Sequence, residues 1–231
     1  MVWLRRTFDS TVGMKWLMGI TGLFLTLFVF VHMLGNLQVY LGPDALNTYA
    51  ETLQHLGELL WVARVGLFTI FVVHIVSAIR LSQLNRSARP QGYAVITPQV
   101  SRYASRTMLM GGLIVLGFVV YHLMHFTLGL VSPEQFHLQD AKGRHDVYAM
   151  VVIGFRQPLI AFSYILAMVP LMLHLQHGAS SFFQSLGLNY PKYNNLFRAV
   201  GPVLSAIIFI GNCSIPLAIL AGLVPYPVAG H

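Results

Sequence analysis

Four histidines, His32, His74, His122 and His174, each lie in a different apolar stretch long enough to cross a bilayer. An imidazole is costly in hydrocarbon, so a histidine placed there is a candidate for chemistry. Counting from the charged residues that bound each stretch sorts the four into two levels. His32 lies 17 residues beyond Lys15 and His122 lies 16 beyond Arg106, which puts both roughly 25 Å from one membrane boundary. His74 is six residues before Arg80, about 9 Å from that boundary, and His174 is 18 beyond Arg156, roughly 27 Å from the opposite one. Neutral imidazole on both axial positions suits haem iron, and facing helices of a bundle commonly build such sites. The residues therefore predict two bis-histidine haems, with irons about 15 Å apart along the membrane normal. Burial of both irons with no open coordination position favours electron transfer over oxygen chemistry.

His125 and His177 each follow a candidate ligand by three residues. On a regular helix they share nearly the same face, so depth alone leaves them open as alternatives. His55, His137 and His145 fall in connections, where a solvated or interfacial role is the default. Packing or proton relay is the competing reading for any single intramembrane histidine. It does not account for matched depths.

The elements that must position these residues follow from composition. Of 231 residues, 9% are charged and 56% hydrophobic, and the mean hydropathy is +0.67, which a water-soluble core of this size cannot hide. Periodicity and charge-free runs predict helices over 14–40, 58–84, 105–131, 157–187 and 196–222, each able to span ~30 Å of hydrocarbon. The expectation is an all-α integral membrane protein, a single domain over 1–231 forming a five-helix transmembrane bundle. No small-residue cleavage site closes the first apolar segment, so that span is expected to be retained. The lone Cys213 excludes an intrachain disulfide and any multi-cysteine cluster, and packing is its expected role.

The net charge of +7 is explained by topology rather than nucleic acid. With the N-terminus inside, Arg5, Arg6, Lys15, Arg80, Arg86, Arg89, Arg102, Arg106, Lys192 and Arg198 lie inside, against Arg64, Lys142, Arg144 and Arg156 outside. That bias follows the positive-inside rule and places the C-terminus outside. The inner loop 85–104, with Arg86, Arg89, Arg102, Pro90 and Pro98, is a candidate docking surface for a soluble partner or for anionic lipid headgroups. The outer connection 41–57 opens on the turn signal Gly42-Pro43-Asp44 and can form a short interfacial helix. Pro158 and Pro202 suit first helical turns. Pro170, four residues before His174, is expected to kink its helix. Glycines 19, 22, 35, 111, 112 and 117 permit close approach of helices or of a flat macrocycle.

The run Gly22-Leu-Phe-Leu-Thr-Leu-Phe-Val-Phe-Val-His32-Met, Val73-His74 with Arg80 six residues on, Tyr121-His122, and Leu173-His174 with Gly178 four on resemble the five-helix di-haem cytochrome b anchor of succinate:quinone oxidoreductases and quinol:fumarate reductases. Gly35-Asn36 and Asn47-Thr-Tyr-Ala50 look like its bacterial single-anchor branch. The resemblance covers nearly the whole chain. It implies that His32 and His122 hold an outer haem b and His74 and His174 an inner one, and it favours His122 over His125 and His174 over His177. It also implies a flavoprotein partner carrying FAD and the succinate or fumarate site, an iron–sulfur partner docking on the inner face, a membrane quinone such as menaquinone, and the bacterial cytoplasmic membrane. Some fumarate reductases of the family carry a glutamate two residues before the fourth-helix ligand, in a proton path; this chain has Met172 there.

Glu51, His55 and Glu58 follow an i, i+4, i+7 spacing above His32 and His122 and are candidates for handling quinone protons. Two rivals fit the same residues. The cytochrome subunit of a hydrogenase or formate dehydrogenase would keep the haems and change the partner. A haem-free proton-coupled transporter would use the histidines as a relay.

Overall fold

A computed structural model of the chain describes residues 10–87, 108–185 and 194–227. Five helices are long and apolar enough to cross a membrane: Thr11–Leu41, Glu58–Ser87, Met108–Thr127, Pro158–Phe182 and Asn195–Leu220. Chain order gives α1 (Thr11–Asn36), a tight 3-10 turn (Leu37–Leu41), α2 (Pro43–Gln54), α3 (Glu58–Ser87), α4 (Met108–His122), a wide turn (Leu123–Thr127), α5 (Pro133–Phe136), α6 (Val147–Phe155), α7 (Pro158–Ser185) and α8 (Asn194–Leu220). Ser10 caps α1 by accepting from the Gly13 N–H at 3.0 Å, and proline opens α2, α5 and α7, where its missing N–H costs nothing.

The long helices are packed inside out relative to a soluble protein. α1 buries Gly13, Met14, Thr21, Thr26, Met33 and Gly35, while Leu23, Phe24, Leu27 and Val31 point outward. α3 buries only Ser77 and Leu81 and exposes Trp61, Val62 and Phe68. Small and polar groups inside with large apolar groups outside is the pattern expected where lipid is the solvent.

Packing defines a four-helix ring with one open side. α3 lies on α1, α1 on α7 and α7 on α4, whereas α3 and α4 barely touch. α8 packs along α7 and more lightly on α1; Gly201 lies against Ser180 and the Gln176 carbonyl, and Gly211 against Met33, positions where a Cβ would collide. α7 continues through Pro170. Pro202, expected in a first turn, is instead interior, because α8 begins at Asn194.

One end of the ring is capped by α2, α5 and α6. The connection 132–156 contains the apolar α6, whose Tyr148, Val151, Val152 and Phe155 join Leu46, Ala161, Tyr164, Ile215 and Ile219 in the largest core. Polar groups fix this cap. The buried Asn47 donates to Asp146 at 3.0 Å and to Asp140 at 3.3 Å, and accepts from the Tyr148 N–H at 3.0 Å. Arg144 donates to Asp140 and Asp44 and to the Thr48 hydroxyl. Burial alone would raise the Asp140 carboxyl, but hydrogen bonds from Arg144, the Lys142 backbone and Asn47 hold it down to about 2.

Candidate functional site

The ring places the four histidines on its diagonals. His32 of α1 faces His122 of α4 with ring centroids 5.7 Å apart, and His74 of α3 faces His174 of α7 at 6.3 Å. These helix pairs hardly touch along their backbones, so the imidazoles meet across the middle of the bundle. Bonds of about 2 Å from two imidazole nitrogens to one metal between them would separate the ring centroids by roughly 6 Å. Both pairs have that spacing. His32 is exposed and the other three are half-buried. The Nδ1 atoms of His122 and His174 are buried with no hydrogen-bond partner, an arrangement that otherwise carries a desolvation cost. Among the described residues no three His, Cys, Asp or Glu side chains gather into one metal site. Two imidazole nitrogens per level suit a macrocycle that supplies the remaining ligands.

Depth agrees on both sides of the ring. His74 lies 16 residues into α3 (58 to 74) and His174 lies 16 into α7 (158 to 174). A Cβ on Gly22 of α1 would come within 3.3 Å of His74 Cε1, and one on Gly112 of α4 within 3.5 Å of His174 Cε1. These glycines mark the second level on the helices that carry the first. Each is ten residues from its own helix's histidine (22 to 32, 112 to 122), or about 15 Å of rise.

The coincidence reflects an internal repeat. Residues 22–32 (GLFLTLFVFVH) and 112–122 (GLIVLGFVVYH) align without gaps and share Gly, Leu, Phe, Val and His at matching positions. Each element has a structural job. The glycine lets the other level's imidazole approach the backbone, and the phenylalanine four residues before the histidine packs on its ring, Phe28 on His32 at 5.4 Å and Phe118 on His122 at 6.0 Å. α1 and α4 run in the same direction, each from its glycine at the second level to its histidine at the first. The repeat is legible in the sequence as an offset of ninety residues between 22–32 and 112–122.

His122 and His125, both open from spacing, face different neighbours, His122 meeting His32 and His125 meeting Tyr164. The helix widens immediately after His122, where the Leu128 N–H donates to the Leu123 carbonyl at 2.8 Å, a five-residue step. A π-turn holds more residues than an α-turn, so a third-following residue falls further short of a full turn and further from the starting face. His125 thus leaves the His122 face, bonds through Nδ1 to the Tyr164 hydroxyl at 2.9 Å and stacks on Phe126 at 4.0 Å. His177 is half-buried on α7, one turn past His174, and the ring that meets His74 is that of His174. No local sequence signal marks Tyr164. Its ring lies 5.9 Å from His122 and 4.9 Å from Phe155, joining the first level to the cap.

Glu51, His55 and Glu58 do not share a helical face. α2 stops at Gln54, His55 caps it, and the chain turns at Gly57 with φ +53° before Glu58 opens α3. Glu51 lies 3.8 Å from Arg144 in the cap, whereas His55 and Glu58 are exposed. The i, i+4, i+7 spacing crosses a chain reversal that a left-handed glycine permits. Of the basic loop, Arg86 is exposed in the last turn of α3, and Arg89 and Arg102 lie outside the described residues. Cys213 is buried and free.

No protein-family model, curated protein or solved structure matches the chain.

Proposed function

We propose that this chain is the di-haem b membrane anchor of a succinate:quinone oxidoreductase or quinol:fumarate reductase, relaying electrons between an iron–sulfur partner and a membrane quinone such as menaquinone. The observation that carries the reading is the pair of diagonal imidazole contacts, 5.7 and 6.3 Å, at two levels of one ring. His32 and His122 would hold one haem and His74 and His174 the other. Bound there, haem supplies one-electron transfer between ferric and ferrous iron.

The chain's own contribution is position and environment. His32 with His122, and His74 with His174, would each give a haem two imidazole nitrogens, which would leave no coordination position open for oxygen chemistry. Gly22 and Gly112 bring the backbone of α1 and α4 up to the second level. Phe28, Phe118, Phe126 and Tyr164 surround the first with aromatic rings. The positive-inside bias supports an inner N-terminus in the bacterial cytoplasmic membrane, with the cap outside and the iron–sulfur and FAD-bearing flavoprotein partners inside. The succinate or fumarate chemistry then belongs to those partners.

The test is a haem stain and a subunit inventory of the intact complex, with pyridine haemochrome set against protein mass. Two haem b per chain and co-purifying flavoprotein and iron–sulfur subunits are expected. Hydrogenase or formate dehydrogenase partners would reassign the complex, and a featureless Soret region would return the histidines to a proton relay.

A further inference from the structure

The two histidines of the second level are not equivalent, and the difference lies one residue before the repeat. Thr21 precedes Gly22 on α1; at the matching position of α4, Gly111 precedes Gly112. The buried Thr21 hydroxyl lies 2.7 Å from the Leu17 carbonyl, 3.2 Å from that of Met18 and 3.0 Å from His74 Nδ1. A hydroxyl has one proton and a carbonyl oxygen has none to give. The short contact to Leu17 therefore takes the Thr21 proton, and the oxygen can meet His74 only as acceptor. His74 Nδ1 must carry its hydrogen, which leaves the lone pair of the neutral ring on Nε2. Gly111 offers no such acceptor, and His174 Nδ1 is buried without a partner.

We propose that Thr21 is a positioning residue that fixes the tautomer and ring orientation of His74, making its Nε2 the metal-binding nitrogen and making His74 the more basic ligand of the pair. This rests on the di-haem reading above. A ligating imidazole that donates its other N–H to an oxygen is held in one orientation and becomes a stronger donor to the metal. A stronger donor favours the ferric state, so the hydroxyl lowers the reduction potential of the haem held by His74 and His174. The first level has no equivalent: neither His32 nor His122 hydrogen-bonds through its ring to protein among the described residues.

The experiment compares the wild-type complex with Thr21→Val and Thr21→Ser in native membranes, by potentiometric titration and low-temperature EPR of the low-spin ferric signals. Valine keeps the shape and removes the oxygen; serine keeps the oxygen. The expected result is an upward shift of one of two haem potentials in T21V, with an altered g-tensor for that centre alone, and return of both in T21S. If T21V lacks that haem altogether, recovery of both centres in T21S supports the same role, and failure of T21S to recover them overturns it in favour of simple packing. Unchanged potentials and spectra in T21V also overturn it. A wild-type chain without haem would instead sink the di-haem reading, an outcome separable from every result on Thr21.

Discussion

The two histidine levels sit in the same ring of helices, yet their imidazoles are held by different means. At the capped end His32 and His122 are oriented by aromatic contact: Phe28 stacks on one, and Phe118, Phe126 and Tyr164 surround the other. At the opposite level His74 and His174 lie against glycine backbone, and the Thr21 hydroxyl hydrogen-bonds His74. The first arrangement draws on the cap, since Tyr164 and Phe155 belong to its core. The second depends on local features of α1 and α4. Damage to the cap should therefore reach the first level, while changes at Gly22 or Gly112 should reach the second.

If the proposed di-haem site is right, the largest effect is loss of one haem of two in His122→Ala, with the other centre spectrally intact, measured by pyridine haemochrome and redox difference spectra. His125→Ala should retain both haems. The opposite pattern would transfer ligation to His125 and remove the meaning assigned to the wide turn. Next, Gly112→Val should deplete or distort the second-level haem, because its first side-chain carbon would already lie 3.5 Å from His174. Gly111→Ala serves as control, since a Cβ there meets nothing within 4 Å.

Asn47→Ala should cost about 2 kcal/mol by stranding the Tyr148 N–H, read as a lower thermal midpoint in detergent, with the first-level haem released before the second. Simultaneous release would uncouple the cap from that level. The cap also has an acid limit. Asp140 is held at about 2 against an ordinary 3.8, so its stabilisation is complete above the ordinary value and is lost as pH falls through the depressed one. Proteolysis within 132–156 should accelerate between about pH 4 and 2, and a flat profile would show that the carboxylate network does not hold the cap. The smallest effect is expected from combined Glu51→Gln, His55→Asn and Glu58→Gln, because only Glu51 has an ion-pair partner. A modest fall in quinone turnover with both haems retained would keep protons moving at this end, and no change would remove these residues from that role.

How much of this was legible beforehand differs between residues. The spans were read to within a few residues because apolar length is a property of composition, as Glu58–Ser87 against the expected 58–84 illustrates. α6 was missed because a nine-residue apolar segment is too short to span and carries no periodic signal once nearly every face is buried. The supposed face of Glu51, His55 and Glu58 failed because helical spacing says nothing about a reversal at Gly57.

By itself the sequence determined that five apolar helices form, that four of them carry an imidazole, and that the imidazoles occupy two depths, since length, charge boundaries and rise per residue are local quantities. Tertiary structure decided which rings meet, because that depends on the order of helices around the ring. It also turned His125 toward Tyr164, brought Gly22 and Gly112 against the other level's histidines, and set the Thr21 hydroxyl against His74. These are contacts between helices dozens of residues apart, and no local pattern specifies them.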